Sequence, residues 1–125
     1  MTQGYQIEQL WRQYKYEVLW HNQNSYNNIR ETMKQSPSYE DIALLISDAL
    51  TIKPTKGSII NTYDHMWGYF KKMCSSSENE FQKDIKYQFQ QHKIDETYLL
   101  EFLKSMADFY NVDYIKQSSI IKSLK

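Results

Sequence analysis

Between Tyr5 and Gln35 the chain carries neither proline nor glycine, and Ile7, Trp11, Tyr14, Val18, Ser25, Ile29 and Met33 recur at helical spacing. A single helix over this stretch would be roughly 45 Å long. Tyr16 and Trp20 lie one turn apart on its opposite side. Glycine and proline together number five, too few for a many-turned β protein. The chain therefore reads as all-α, a compact bundle of five or six helices with a long first helix, in one domain over residues 1–125.

Breaks in the pattern divide the rest. After "QSPSYED", Ser38 and Asp41 resemble a capping box, and Ile42, Ile46 and Ala49 mark a second helix over about Tyr39–Leu50. "TIKPTKG" is a loop, because Lys53 precedes proline. A third helix, about Ser58 to Cys74, has Ile59, Tyr63, Met66, Phe70 and Met73 on one face. Ser77 with Glu80 is the expected cap of a fourth, which would bury Phe81, Ile85 and Phe89. Asp95 caps a fifth, with Ile94 and Leu99 spaced as a staple, and Asn111 suits its left-handed end. The tail "VDYIKQSSIIKSLK" is expected to form one short, fraying helix.

Bulk properties exclude several classes. Fifteen basic and fifteen acidic residues balance, so nucleic acid or an anionic surface would have to be met by local charge. The single cysteine, Cys74, excludes an internal disulfide and a cysteine-rich metal site, and no cofactor is expected. "MTQGYQIEQLWRQ" lacks a signal peptide's apolar core and no apolar run reaches membrane-spanning length, which points to a cytoplasmic setting.

Few residues could carry covalent or metal chemistry. Cys74 reads as a small apolar filler, and Glu40–Asp41 and Asp95–Glu96 as helix-opening carboxylates. His21, His65 and His92 have no metal-ligating spacing, and His21 reads as a half-buried, hydrogen-bonded histidine. One stripe remains. Gly57, Asn61, His65, Gly68 and Lys72 follow at steps of four, four, three and four, opposite the apolar face of the third helix. Thr51 to Ser76 holds four lysines against one aspartate. The stripe could be a solvated face, or a packing face on which Gly68 admits a neighbouring helix. It could also be a groove, in which Lys53 and Lys56 reach an anion at a helix N-terminus and Lys72 and Tyr69 extend the contact.

"TKGSIINTYDHMWGYFKK" resembles the signature of the YbgA-like family, a domain family of unknown function. The residues that carry the resemblance are Gly57, Asn61, His65, Gly68, Tyr69, Phe70 and Lys71, and, in "LWRQYKYEVLWHNQNSYNNIR", Lys15, Tyr16, His21 and Tyr26. It spans roughly Leu10 to Gln117; the family's closing run is matched only in part by "KQSSII", without its proline. Relatives fused behind a thiouracil-desulfidase-like domain imply help in holding thiolated transfer RNA. This sequence, with one cysteine, would then be a binding part without the cluster-bearing part.

The expected function is a non-catalytic nucleic-acid-binding or accessory module, with structured RNA or a desulfidase-type protein as partner. Its surface would be Lys53, Lys56, Gly57, Asn61, His65, Gly68, Tyr69 and Lys72, joined by Lys15 and His21 from the first segment. One alternative is an enzyme with His65 or His21 as acid or base between the first and third helices. Another is a protein-interaction module, or self-association, through an exposed Tyr16 and Trp20.

Overall fold

A computed structural model describes residues 3–124; residues 1, 2 and 125 of the expected domain lie outside the described residues. Its order is α1 (Gln3–His21), α2 (Gln23–Met33), α3 (Tyr39–Ala49), α4 (Lys56–Trp67), α5 (Ser76–Gln90), α6 (Glu96–Tyr110), α7 (Asp113–Lys116) and α8 (Ser119–Lys122). No strand occurs among the described residues. Six helices of eleven to nineteen residues and two of four make the bundle, and α1 is the longest.

The helix expected to run unbroken to Gln35 stops at His21. Asn22 takes an extended conformation (φ −166°, ψ 121°), and its Oδ1 accepts from the Ser25 N–H at 2.8 Å. An asparagine that satisfies a free helical N–H competes well with helix continuation. In the sequence the apolar spacing from Val18 to Ser25 and Ile29 runs across Asn22 without marking the break. α2 then packs against both α1 and α3.

Two apolar clusters share α1. Ile7, Trp11 and Val18 join Ile29 of α2 and Ile42, Ile46 and Ala49 of α3. Tyr16, Leu19 and Trp20 join the larger cluster, built from α4 to α8 around Tyr63, Met66, Phe70, Leu99 and Leu103. Tyr16 and Trp20 are only 5% and 6% exposed, so the expected self-association surface is lost: this chain's own helices cover it. α1 is sandwiched, and so both of its faces are apolar.

Capping follows local rules where the local choice is unique. Ser38 and Asp41 form the expected reciprocal box, Asp95 caps α6, and Asn111 ends it in the left-handed region (φ 56°). For α5 the expected Ser77–Glu80 box gives way to Ser75 and Glu78. Both pairs fit the pattern in "SSSENE"; Glu78 alone receives the Tyr110 hydroxyl of α6, at 2.6 Å. Phe81 is 42% exposed, not buried as expected, and Gln82 is buried instead. The tail, expected as one fraying helix, forms two short ones. α7 and α8 place Ile115, Ile120 and Ile121 in the larger cluster.

The third expected helix is also shorter. α4 ends at Trp67, with Gly68 as its C-cap (φ −51°, ψ −27°). Residues beyond it form tight turns, with Phe70 N donating to Trp67 O at 2.8 Å. Gly68 is therefore exposed at a helix end rather than inside a helix. A Cβ there would meet only its own chain, His65 O at 3.1 Å and Asp64 O at 3.8 Å. The expected close approach of a neighbouring helix does not occur.

Candidate nucleic-acid interface

The Gly57–Lys72 stripe does not survive as one surface. Gly57, Asn61 and His65 do lie along α4, but Lys72 falls in the turns beyond Trp67, where helical spacing no longer applies. Asn61 donates to Gln23 Oε1 at 2.7 Å and so ties α4 to α2. His65 is exposed, with Nδ1 2.8 Å from Asn61 O. Gly57 is exposed near the start of α4, and the helix terminus is partly closed by its own residues: Ser58 N donates to Thr55 Oγ1 at 3.0 Å, and Thr55 N to Ser58 Oγ at 2.9 Å.

Lys56 has another role. Its Nζ lies 3.1 Å from both Phe89 O and Gln90 O and 3.0 Å from His92 Nε2. These carbonyls lie in the last turn of α5, at the negative end of the helix dipole, and Phe89 O also accepts from His92 N at 3.1 Å. Lys56 caps α5 and is not held out for a ligand; Lys53 and Lys72 remain exposed. Of the three lysines expected to converge beside α4, Lys56 is thus tied to the end of α5.

His21 and His65 are not brought together. His21 Nδ1 lies 2.6 Å from Ile52 O, where it holds the loop after α3. None of the five main clefts has His21 or His65 among its lining residues. Among the described residues no group of three or more histidine, cysteine, aspartate or glutamate side chains is placed to hold a metal ion.

The structure does join two other expected residues, Lys15 and Tyr69. The Tyr16 and Tyr69 hydroxyls lie 2.8 Å apart, linking α1 to the turn after α4. Tyr69 stacks on Tyr114 of α7 with ring centroids 5.4 Å apart and planes 17° apart. Tyr16 meets both rings edge-on, at 6.2 and 6.3 Å. Over this cluster sit two cations. Arg12 lies 4.6 Å from the Tyr114 centroid, and Lys15 Nζ lies 5.0 Å from that of Tyr114 and 5.1 Å from that of Tyr16. On α2, Arg30 lies 5.7 Å from the Tyr26 centroid.

Burial first, then the Tyr69 hydroxyl and the neighbouring phenols, pushes the Tyr16 pKa far up, so Tyr16 stays neutral at physiological pH. Arg12 is exposed and Lys15, Tyr69 and Tyr114 are half-buried. The charged ends of Arg12 and Lys15 lie against these rings at cation–π distance. Lys15, Tyr16 and Tyr69 were visible as motif residues; Arg12 and Tyr114 were missed. Arg12 had a weak signal in its i, i+3 spacing from Lys15. Tyr114 had none, since only the tertiary fold carries it to α1.

Fold and site together define a small all-helical domain with a basic, tyrosine-rich face. A family model described as "Protein of unknown function (DUF1722)" matches residues 15–123, and the chain belongs to that family. No curated protein and no solved structure matches the chain. Among the described residues no helix is long and apolar enough to cross a membrane.

Proposed function

We propose that the domain is a non-catalytic, cytoplasmic nucleic-acid-binding or accessory module whose ligand is structured RNA such as transfer RNA. The observation that carries this reading is the pair of cations, Arg12 and Lys15, fixed over the Tyr16–Tyr69–Tyr114 cluster. Cations restrained by rings lose little side-chain entropy on meeting a phosphate, and a half-exposed tyrosine beside them can take a base. Resemblance of the segments around Lys15 and Tyr69 to the YbgA-like family supports the reading, and suggests a desulfidase-type protein as the catalytic partner.

Titration against total transfer RNA over a range of salt tests it. Arg12→Gln and Lys15→Gln should each weaken binding and reduce the slope of log affinity against log salt by roughly 0.7 to 0.9 of a unit per lost phosphate contact. His65→Ala, which removes no fixed charge, should leave that slope nearly unchanged. Absence of binding at low salt, or slopes untouched in both charge variants, removes the RNA reading.

A further inference from the structure

A second feature lies on the other side of the Tyr69 turn. The end of α4, the turns after it and the start of α5 enclose a cleft of about 630 Å³. Lys71, Lys83 and Lys86 line it, and Asp64 is the one acidic side chain in its lining. Lys86 engages both Asp64 oxygens, at 2.9 and 3.0 Å, which neutralises that carboxylate. Lys83 is 61% exposed and only 3.9 Å from Glu80, and among the described residues Lys71 makes no ion pair.

The lysines in the lining are donors only, and the other polar groups there are two amides and two hydroxyls. Gln82, 8% exposed, donates its amide to Asn79 Oδ1 at 3.1 Å. That bond uses one of the two lone pairs of Asn79 Oδ1. Ser75 Oγ accepts from Glu78 N at 3.1 Å, and its hydroxyl also meets the Glu78 carboxylate. Ser76 adds another hydroxyl to the lining. Three lysines, Asn79, Gln82 and two serines thus line a space whose only carboxylate is paired with Lys86. A ligand that matches this needs negative charge and many acceptor oxygens with few donors. Phosphate has that chemistry.

We propose that this cleft binds a phosphate group, carried either by a phosphorylated small molecule or by a nucleic-acid backbone. The inference does not need the RNA reading, since Arg12, Lys15 and the tyrosine cluster are absent from the lining.

Inorganic pyrophosphate is the probe, titrated into the full chain at constant ionic strength and followed through backbone amide resonances. Saturable shifts are expected at Ser76 and Asn79. In the Lys71→Gln/Lys83→Gln double variant, which alters two exposed side chains, affinity should fall by roughly tenfold or more, the loss of two charge-assisted contacts. Lys53→Gln should leave it unchanged. Transfer RNA distinguishes the sources. Competition by pyrophosphate, with weaker transfer RNA binding in the double variant, assigns the phosphate to a nucleic acid. Loss of pyrophosphate binding with transfer RNA binding intact assigns it to a small molecule. Shifts that never saturate, that scatter over the surface lysines, or that persist unchanged in the double variant overturn the proposal. Failure of the Arg12 and Lys15 variants to affect RNA leaves the pyrophosphate result readable on its own.

Discussion

Single side chains in this domain are committed more by what they meet than by what they are. Lys56 and Lys72 are both lysines of one basic segment, yet Lys56 binds the carbonyl end of α5 while Lys72 stays in water. Lys56→Met should therefore lower stability by roughly 1–2 kcal/mol, the scale of charge-assisted hydrogen bonds at a half-buried site. Urea denaturation measures this, and an unchanged midpoint would show that the cap contributes nothing. The Tyr16–Tyr69 pair yields a sharper test. Tyr16 is 5% exposed and its hydroxyl meets that of Tyr69 at 2.8 Å. Tyr69→Phe strands a buried hydroxyl, at a cost of about 1–3 kcal/mol, whereas replacing both tyrosines by phenylalanine removes donor and acceptor together. The double variant should be more stable than the sum of the single losses predicts, as a double-mutant cycle would read.

Among the elements, α5 shows how a helix start is chosen. Its N-cap could be Ser75 or Ser77 by pattern alone, and a bond from α6 coincides with the first choice. The Ser75 backbone N–H, and then the Tyr110 hydroxyl, hold the Glu78 carboxyl below its ordinary value of 4.5. A carboxylate depressed by folding adds stability above its unfolded pKa and loses it as pH falls through the folded pKa. Glu78→Gln should thus be less stable than the parent at neutral pH. The difference should close as pH falls from about 5 downward, where the parent's carboxylate takes up its proton. Chemical denaturation at a series of pH values checks this, and a gap that stays constant with pH would refute it. α4 carries a related lesson. Gly68 marked the place where the helix stops, rather than a place where another helix approaches.

For the molecule as a whole, α1 is the shared wall and the tail is the closing piece. α7 and α8 are too short to be stable alone, yet Ile115 and Ile121 are 0% and 2% exposed. Packing against α1 and α6, and not helix propensity, holds them. Ile115→Ala should cost about 2–5 kcal/mol, the range for truncating a fully buried isoleucine. Thermal unfolding followed by far-UV circular dichroism would show it. A melting point within error of the parent would mean that the tail is not part of the cooperative unit.

The sequence by itself determined the helical class, the bounds of α3 and α6 and their caps. Helical hydrogen bonds and capping boxes join residues three or four apart, so Ser38–Asp41, Asp95 and Asn111 leave their mark in adjacent letters. Only the tertiary structure decided the break at Asn22, which the apolar period passes over, and the N-cap of α5, for which two local answers were equal. It alone brought Tyr69 to Tyr16, 53 positions away, and laid Tyr114 under Arg12 and Lys15. It also spent Lys56 on carbonyls 33 and 34 positions distant. Contacts at that separation depend on how helices stack, and stacking leaves no period in the sequence for a local reading to find.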